Sequence, residues 1–190
     1  MRMKAMTITV VLLIVALVPL AAVGVEEARA TAFDMTLDLE TLEAEVPGGS
    51  LRAEPVSDAY VADVNEDVYI AIIPRETGEG TEALEVAAYL CDGEDVVVWL
   101  TGDIRDGQGI LTAGDTRVEI ERMADRVSGT AVVSGGEPET FVAAEGERIA
   151  GFYEARASVD DTRYLGRWIV LADGSQRGWI MEEEGQPQIE

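Results

Sequence analysis

The first segment that could carry chemistry is a run of oxygen-bearing side chains at residues 63–67, which read DVNED. Carboxylates and an amide at alternate positions are how a calcium loop begins, because Ca²⁺ takes about six to eight hard oxygen ligands. The pattern then fails, because Val68 stands where such a loop needs glycine and Pro74 where it needs a bidentate glutamate. We therefore expect a turn between two strands here and assign no metal ligands.

Carboxylates are the second resource, since the chain has 37 Asp and Glu residues. Glycoside hydrolysis needs one carboxyl group with a raised pKa and a second as base or nucleophile, about 5–9.5 Å apart, and the sequence singles out no such pair. The chain has no histidine, which removes Ser-His-Asp and Cys-His catalysis and His-ligated zinc. We expect a protein that is not an enzyme and uses no cofactor, with a carboxylate-dependent hydrolase as the second alternative.

Cys91 is the only cysteine, so no intrachain disulfide can form. A reactive thiolate needs a nearby cation or a helix N-terminus to lower its pKa. The neighbours of Cys91 are instead the acidic residues Asp92, Glu94 and Asp95. We expect a structural thiol that packs as a small apolar side chain at the end of a strand.

The C-terminal hairpin, residues 162–182, is the most informative segment. If Asp173 and Gly174 form a two-residue loop, Trp168 pairs with Trp179 and Val170 with Arg177. One face of the hairpin then holds Tyr164, Trp168, Val170, Arg177, Trp179 and Met181, and the other holds Leu165, Ile169, Leu171 and Ile180. Either the aromatic face fills the core, or Tyr164, Trp168, Arg177 and Trp179 form an interaction surface, because aromatic and arginine side chains are common interface anchors.

β-Strands must position these residues, because helical periodicity is nearly absent. Short apolar or alternating runs are separated roughly every 8 to 12 residues by Gly and Asp pairs, which is typical of antiparallel all-β folds. The two-residue hairpin loops are predicted at 92–93, 135–136 and 173–174, and a longer one at 106–109. Strands are predicted at 33–39, 59–64, 67–73, 83–90, 95–101, 109–112, 117–121, 126–133, 139–144, 150–157, 162–171 and 176–182.

Sequential hairpins indicate an all-β meander of about ten short antiparallel strands. Such strands must close as a small barrel or stack as a β-sandwich to bury their apolar faces. We predict the barrel and keep the sandwich as the alternative.

Residues 1–30 are typical of a secretory signal peptide. Arg2 and Lys4 precede an apolar run at 8–20, and residues 28–30 give a small-x-small cleavage pattern. An uncleaved N-terminal membrane anchor is the alternative, because residues 7–25 carry no charge and a spanning helix needs about 20 residues. Both interpretations place the remainder outside the cytoplasm, and cleavage would leave no transmembrane span. Residues 31–182 then form a single β domain and residues 183–190 a polar tail.

The net charge of residues 31–190 argues against nucleic acid and anionic lipid as partners. They contain 35 carboxylates against 11 arginines and no lysine, a formal net charge of −24. Such a surface repels nucleic acid and anionic lipid. The acids are spread along the chain, which favours a solvated, halophilic-like surface over clustered carboxylates that hold divalent cations.

Six short segments between residues 60 and 181 carry a resemblance to a known family: AYLCDG (88–93), WLTG (99–102), VSGT (127–130), FVA (141–143), AGFY (150–153) and GRWIVLADGSQRG (166–178). Through them the chain resembles a family of small exported bacterial all-β domains of unknown activity. The resemblance implies an exported all-β domain and assigns no catalytic residue.

The sequence therefore predicts an exported, non-enzymatic β domain for binding or assembly at the cell envelope or outside the cell. Its partner would be an unknown protein or small ligand. A small-ligand carrier is the alternative, and it would need an apolar cavity inside the barrel.

Overall fold

The computed structural model describes residues 35–75 and 83–183. The predicted signal peptide, the loop tip at 77–80 and the tail from residue 184 onwards lie outside these residues. Within the described ranges no helix is long and apolar enough to cross a membrane. The strands are β1 (Glu43–Val46), β2 (Gly49–Arg52), β3 (Glu54–Val56), β4 (Tyr60–Asp63), β5 (Tyr69–Pro74), β6 (Leu84–Cys91), β7 (Val97–Arg105), β8 (Gln108–Ala113), β9 (Thr116–Arg122), β10 (Arg126–Val132), β11 (Glu139–Glu145), β12 (Gly151–Val159), β13 (Thr162–Val170) and β14 (Gln176–Glu183).

Strands β4 to β11 form a closed antiparallel barrel of eight strands, in which each strand pairs with the next along the chain. The barrel closes where β11 pairs with β4, through Ala144 opposite Val61 and Glu145 opposite Tyr60. The predicted all-β class and meander barrel are thus confirmed, and the sandwich alternative is not adopted.

The barrel interior is filled by side chains. Eighteen buried apolar residues form one cluster there, among them Ile70, Leu90 and Leu100. An eight-stranded barrel has an interior just wide enough for side chains to fill, so the inward-facing residues are themselves the core.

A second sheet, which was not predicted, packs against one outer wall of the barrel. It has the antiparallel order β14-β13-β12-β3. Its residues Phe152 and Ile169 are buried together with Ala71, Tyr89 and Cys91 of the barrel exterior. The reason lies in β5 and β6, whose residues are buried on both faces over almost their whole length. A barrel can bury only one face of a strand, so the other face needs a separate cover.

The β1–β2 hairpin covers the remaining face of the second sheet. Leu51 of this hairpin is buried in one cluster with Tyr153, Trp168 and Ile180 of the sheet. The molecule therefore has three layers, which are the barrel, the second sheet and the hairpin.

Trp168 lies at the centre of the outer core, where it is fully buried. Its indole ring lies over the Cα atoms of Gly166 on its own strand and Gly178 on the neighbouring strand, and a Cβ at either glycine would overlap the ring. The indole Nε1–H donates to the Met35 carbonyl oxygen at 2.7 Å, which satisfies the only polar group of the side chain. Two glycines in the sheet thus create the space for one tryptophan.

The strand predictions from residue 59 onwards are confirmed, with ends that differ by no more than four residues. The predicted strand at 33–39 is wrong in its described part, because residues 35–37 form no strand, Asp38 forms only an isolated bridge with Glu43, and residues 39–42 form a turn. The Asp38 carboxylate stabilises this turn by accepting the N–H groups of Glu40 and Thr41 at 2.8 and 3.2 Å. The three short strands between 43 and 56 were not predicted, so residues 35–75 and 83–183 hold fourteen strands rather than about ten.

The predicted loop at Asp173-Gly174 is one residue too short. The Leu171 N–H donates to the Ser175 carbonyl oxygen at 2.9 Å and the Gly174 N–H to the Leu171 carbonyl oxygen at 3.0 Å. Gly174 has a φ of 86°, so the loop has three residues and ends in a glycine bulge. Trp168 therefore pairs with Gly178, and Trp179 pairs with Arg167. The predicted Trp168–Trp179 pair is wrong, and the two rings lie on opposite faces of the sheet.

Three other loop predictions are also corrected. Asp106 and Gly107 form a true two-residue loop, with φ values of 52° and 82° and Arg105 paired with Gln108. Asp92-Gly93 belongs to a longer loop, because the Asp92 Oδ1 accepts the N–H groups of residues 94, 95 and 96. Gly135-Gly136 likewise lies in the long connection between β10 and β11.

The packing of Trp168 predicts the effect of Gly178→Ala. The added methyl group must displace the indole ring, and such overpacking typically costs about 1–3 kcal/mol of unfolding free energy. Urea unfolding of the wild type and the variant measures this loss. Glu182→Ala, at an exposed position on the same strand, is the control and should change stability by less than about 0.5 kcal/mol. Equal effects of the two substitutions would contradict the described packing.

Candidate functional site

The structure does not bring the four predicted interaction residues to one surface. Tyr164 and Trp168 are buried in the outer core. Arg177 and Trp179 are partly exposed and lie on the opposite face of the sheet, towards the barrel. Because the observed strand register differs by one residue from the predicted one, Tyr164 and Trp168 lie on one face of the sheet and Arg177 and Trp179 on the other. Trp168 thus fills the core, as one of the two interpretations predicted.

Arg177 joins the C-terminal hairpin to the barrel. Its guanidinium donates from Nε to the Asp67 carbonyl oxygen at 2.9 Å and from Nη2 to the Glu66 carbonyl oxygen at 3.0 Å. A third bond runs from Nη1 to the carbonyl oxygen of Gln176 at 3.0 Å. The guanidinium carbon lies 4.7 Å from the centroid of the Tyr69 ring, a distance at which a cation–π contact contributes. Arg177 therefore uses three of its five N–H donors within the chain.

Asp63 ends β4, and residues 64–68 connect β4 to β5 as a turn, as the sequence predicted. The Asn65 side-chain oxygen accepts the N–H groups of Asp67 and Val68 at 3.0 and 2.9 Å, so it is engaged with the backbone. Over residues 35–75 and 83–183, no group of three His, Cys, Asp or Glu side chains is placed to hold a metal ion.

An aromatic cluster fills the seam between the barrel and the second sheet. The ring centroids of Tyr89 and Phe152 are 5.3 Å apart, those of Tyr89 and Trp99 5.6 Å, and those of Trp99 and Phe152 6.1 Å. Arg167 lies over the Trp99 ring at 4.9 Å and donates from Nε to the Glu154 carboxylate at 2.8 Å. Tilted rings at these distances add about 0.5–1.5 kcal/mol per pair beyond their burial, so this cluster attaches the sheet to the barrel.

Cys91 is buried at the end of β6, as predicted. The Gly93 N–H donates to its sulfur at 3.3 Å. Burial is the main reason that the pKa of the thiol is raised, and the Asp92 carboxylate contributes less. A buried thiol with a raised pKa has little thiolate to react, which supports a structural role.

Within residues 35–75 and 83–183, every carboxyl group with a perturbed pKa has it lowered. Hydrogen bonds from the backbone lower the pKa of Asp38, and Arg126 and Ser175 lower those of Asp125 and Asp173. Burial favours a higher pKa for Glu154, but the hydrogen bonds and charges of Arg167 and Arg156 outweigh it and lower the pKa. A general acid needs the opposite shift, so these groups are fitted to ion pairing and turn formation.

The outer surface of β8 to β11, which we call the free wall, is not covered by the second sheet. Inward residues of these strands are buried and outward residues are mostly exposed, with the alternation expected of a half-buried sheet. Two outward positions carry large apolar residues, Ile110, which is 54% exposed, and Val142, which is 63% exposed.

A groove of about 740 Å³ crosses the free wall between Ile110 and Val142. Gly129 lies in its floor, opposite Ile120 on β9 and Phe141 on β11. The Phe141 ring and the Glu119 backbone occupy the space that a side chain at residue 129 would need. Hydroxyl groups and charged side chains complete the lining, namely Ser128, Thr130, Thr140, Asp103, Arg105, Glu119 and Glu121.

Two ion pairs border this groove. Arg117 contacts Glu119 at 2.8 Å, and Arg105 contacts Asp103 at 3.6 Å. The free wall was not predicted, because Ile110 and Val142 are far apart in the chain. The one sign of each residue in the sequence is an apolar side chain at an outward position of a strand that otherwise alternates between apolar and polar residues. Which positions point outwards is known only once the strand register is known.

No protein-family model, curated protein or solved structure matches the chain.

The Glu154 ion pairs predict a pH dependence of stability. Because its folded-state pKa lies below the unfolded value of about 4.5, the stabilisation is present above that value and is lost as the pH falls through the folded-state pKa. Wild type should therefore exceed Glu154→Gln in unfolding free energy at pH 6, and the difference should shrink below pH 4.5. Urea unfolding at pH 6 and at pH 3.5 measures it.

Glu121→Gln on the free wall is the matched control for this measurement. It removes one carboxylate from an exposed position and should leave the unfolding free energy nearly unchanged. A Glu154→Gln difference that stays constant with pH would contradict the ion-pair assignment.

Proposed function

We propose that this protein is an exported, acidic, non-enzymatic β domain that binds another protein at the cell envelope or outside the cell, using the free wall. The observation that carries the proposal is the asymmetry of the barrel. One outer wall is covered by the second sheet, whereas the other exposes Ile110 and Val142 on either side of a groove.

The composition of the groove supports protein binding. Interfaces combine apolar anchors with polar groups that supply hydrogen bonds. Here Ile110 and Val142 are the apolar anchors, and the hydroxyl groups of Ser128, Thr130 and Thr140 lie between them. Exposed apolar residues that share one groove indicate an interaction site more strongly than residues scattered singly.

The two alternatives have less support. A small-ligand carrier needs an apolar cavity in the barrel, and the interior is occupied by the eighteen packed side chains described above. A carboxylate-dependent hydrolase needs a carboxyl group with a raised pKa, whereas Asp38, Asp125, Glu154 and Asp173 are all shifted downwards.

The sequence supports export and narrows the partner. The signal-like pattern at residues 1–30 directs the chain out of the cytoplasm, and the single cysteine makes no use of disulfides. The net charge of −24 over residues 31–190 opposes contact with nucleic acid, so a protein partner is the best match for a groove with apolar anchors.

Site-specific photo-cross-linking tests this proposal. A photoreactive phenylalanine analogue replaces Ile110 or Val142 in the cells that produce the protein. Both positions should yield one cross-linked species of the same mass. The control position is Met123, which is 45% exposed but lies outside the groove, and it should yield none. The proposal fails if neither wall position cross-links, or if Met123 gives the same product.

A further inference from the structure

A small pocket lies where the three layers of the molecule meet. Its volume of about 280 Å³ is close to the lower limit of about 300 Å³ for ligand pockets. Leu42 lies in the turn before β1, Val56 on β3 and Tyr153 on β12, and the β3–β4 connection and the β11–β12 loop complete the lining. Ligand pockets often form at such junctions between packed units.

The walls of this pocket are mainly apolar. Leu42 and Tyr153 belong to the outer core, and Val56, Ala59 and Ala150 belong to the cluster between the barrel and the second sheet. The pocket is thus a gap where the two clusters meet. An apolar group placed in the gap would be removed from water on several sides, which favours binding.

Hydrogen bonds hold the segments that line the pocket. The Gly146 N–H donates to the Ala59 carbonyl oxygen at 2.9 Å, which ties the β11–β12 loop to the β3–β4 connection. The Tyr153 hydroxyl donates to the Ile149 carbonyl oxygen at 2.9 Å, which ties the same loop to β12. The pocket is therefore formed before a ligand binds, and this lowers the entropic cost of binding.

Two exposed side chains of opposite charge, Arg148 and Asp58, belong to the lining. Within residues 35–75 and 83–183, neither side chain forms a hydrogen bond or an ion pair, and they do not pair with each other. Carboxylates outnumber arginines by 35 to 11 over residues 31–190, so an arginine without a carboxylate partner is unexpected. Both charges are available to a ligand.

Three residues of the lining have a left-handed backbone conformation although none is glycine. The φ angle is 57° at Leu42, 59° at Asp58 and 58° at Arg148. Aspartate tolerates this conformation, whereas leucine and arginine are disfavoured in it. Such residues cluster at ligand sites. Since glycine would fit the backbone at residue 148 better, the loop conformation does not explain the arginine, and its guanidinium is the group that needs a role.

We propose that this pocket binds a small zwitterion, namely a free amino acid with an apolar side chain. The Arg148 guanidinium would bind the carboxylate of the ligand, the Asp58 carboxylate would bind its ammonium group, and the apolar walls would contact its side chain. An anion is a poorer ligand, because Asp58 and the net charge of −24 over residues 31–190 repel it. A cation would leave Arg148 without a partner. The pocket shares no residue with the groove of the free wall, so each site can be tested without the other.

The probe is L-leucine, and backbone amide chemical shifts of the purified protein report its binding. Saturable shifts should occur at Asp58, Ala59 and Arg148 and be absent at Thr130 on the free wall. Two analogues each lack one charged group, since 4-methylpentanoate has no ammonium and 3-methylbutylamine has no carboxylate. Each should bind at least about tenfold more weakly than L-leucine, because it loses charge-assisted hydrogen bonds.

Two variants assign the two charges. Asparagine at residue 58 and glycine at residue 148 both suit a left-handed backbone, so both variants should fold. Arg148→Gly should weaken L-leucine binding at least about tenfold without weakening that of 3-methylbutylamine, which has no carboxylate to lose. Asp58→Asn should weaken L-leucine binding by a similar factor without weakening that of 4-methylpentanoate. Glu147→Gln removes a carboxylate from the same loop but outside the lining, and it should keep the dissociation constant within about twofold of wild type.

A second readout separates binding from folding. The urea midpoint of Arg148→Gly should equal or exceed that of wild type, because glycine relieves the left-handed conformation. A lower midpoint would make Arg148 a structural residue and overturn the proposal. Wild type that gives no saturable shift with millimolar L-leucine, or that binds 4-methylpentanoate as tightly, would overturn it too. An equal loss of affinity in Glu147→Gln would mean that general charge, and not Asp58, holds the ammonium group.

Discussion

The architecture depends on strands that are apolar on both faces. β5 and β6 are buried on the side that points into the barrel and on the side that points out. Barrel closure buries only the inner face of these strands. Burying the apolar side chains of the outer face as well stabilises the folded state by about 25 cal/mol per Å². The second sheet supplies that cover, and the cluster of Tyr89, Trp99 and Phe152 marks where the two surfaces meet.

The same constraint continues into the second sheet. Its strands β12 and β13 bury apolar side chains on both faces, with Phe152 and Ile169 towards the barrel and Tyr153 and Trp168 away from it, so the face turned away from the barrel needs the β1–β2 hairpin. The segment before that hairpin completes the cover. The Gln176 side-chain amide accepts the Leu37 N–H and donates to the Leu37 carbonyl oxygen, both at 2.9 Å, and so replaces a backbone pair. By contrast β8, β9 and β11 alternate cleanly, and their outer wall stays free.

The sequence predicted the barrel because turn residues recur at strand-length intervals, and this spacing does not depend on which faces are buried. The sequence did not predict the strand register of the C-terminal hairpin, because an Asp-Gly pair occurs in loops of different length. Asp106-Gly107 is the whole of a two-residue loop, whereas Asp173-Gly174 ends a three-residue loop and Asp92 organises a longer one. One residue of slip moves a side chain to the other face, which is why Trp168 and Trp179 were assigned to one surface. The second sheet was not predictable from turn spacing, since spacing does not say which strands share a sheet.

Several of the residues that could carry chemistry are engaged within the described part of the fold. Arg177 bonds to the backbone, Glu154 to two arginines, Asn65 to its own turn, and Cys91 is buried. The free wall is exposed because the second sheet covers only one wall of the barrel.

Nuclear Overhauser contacts between aromatic rings test the layered packing most directly. The ring protons of Phe152 on the second sheet should show contacts to both Tyr89 and Trp99 on the barrel, since their centroids lie 5.3 and 6.1 Å away. The Trp168 ring should show none to either residue, because it lies on the other face of the sheet. Contacts from Trp168 to Tyr89 or Trp99, in place of those from Phe152, would contradict the three-layer arrangement and with it the assignment of the free wall.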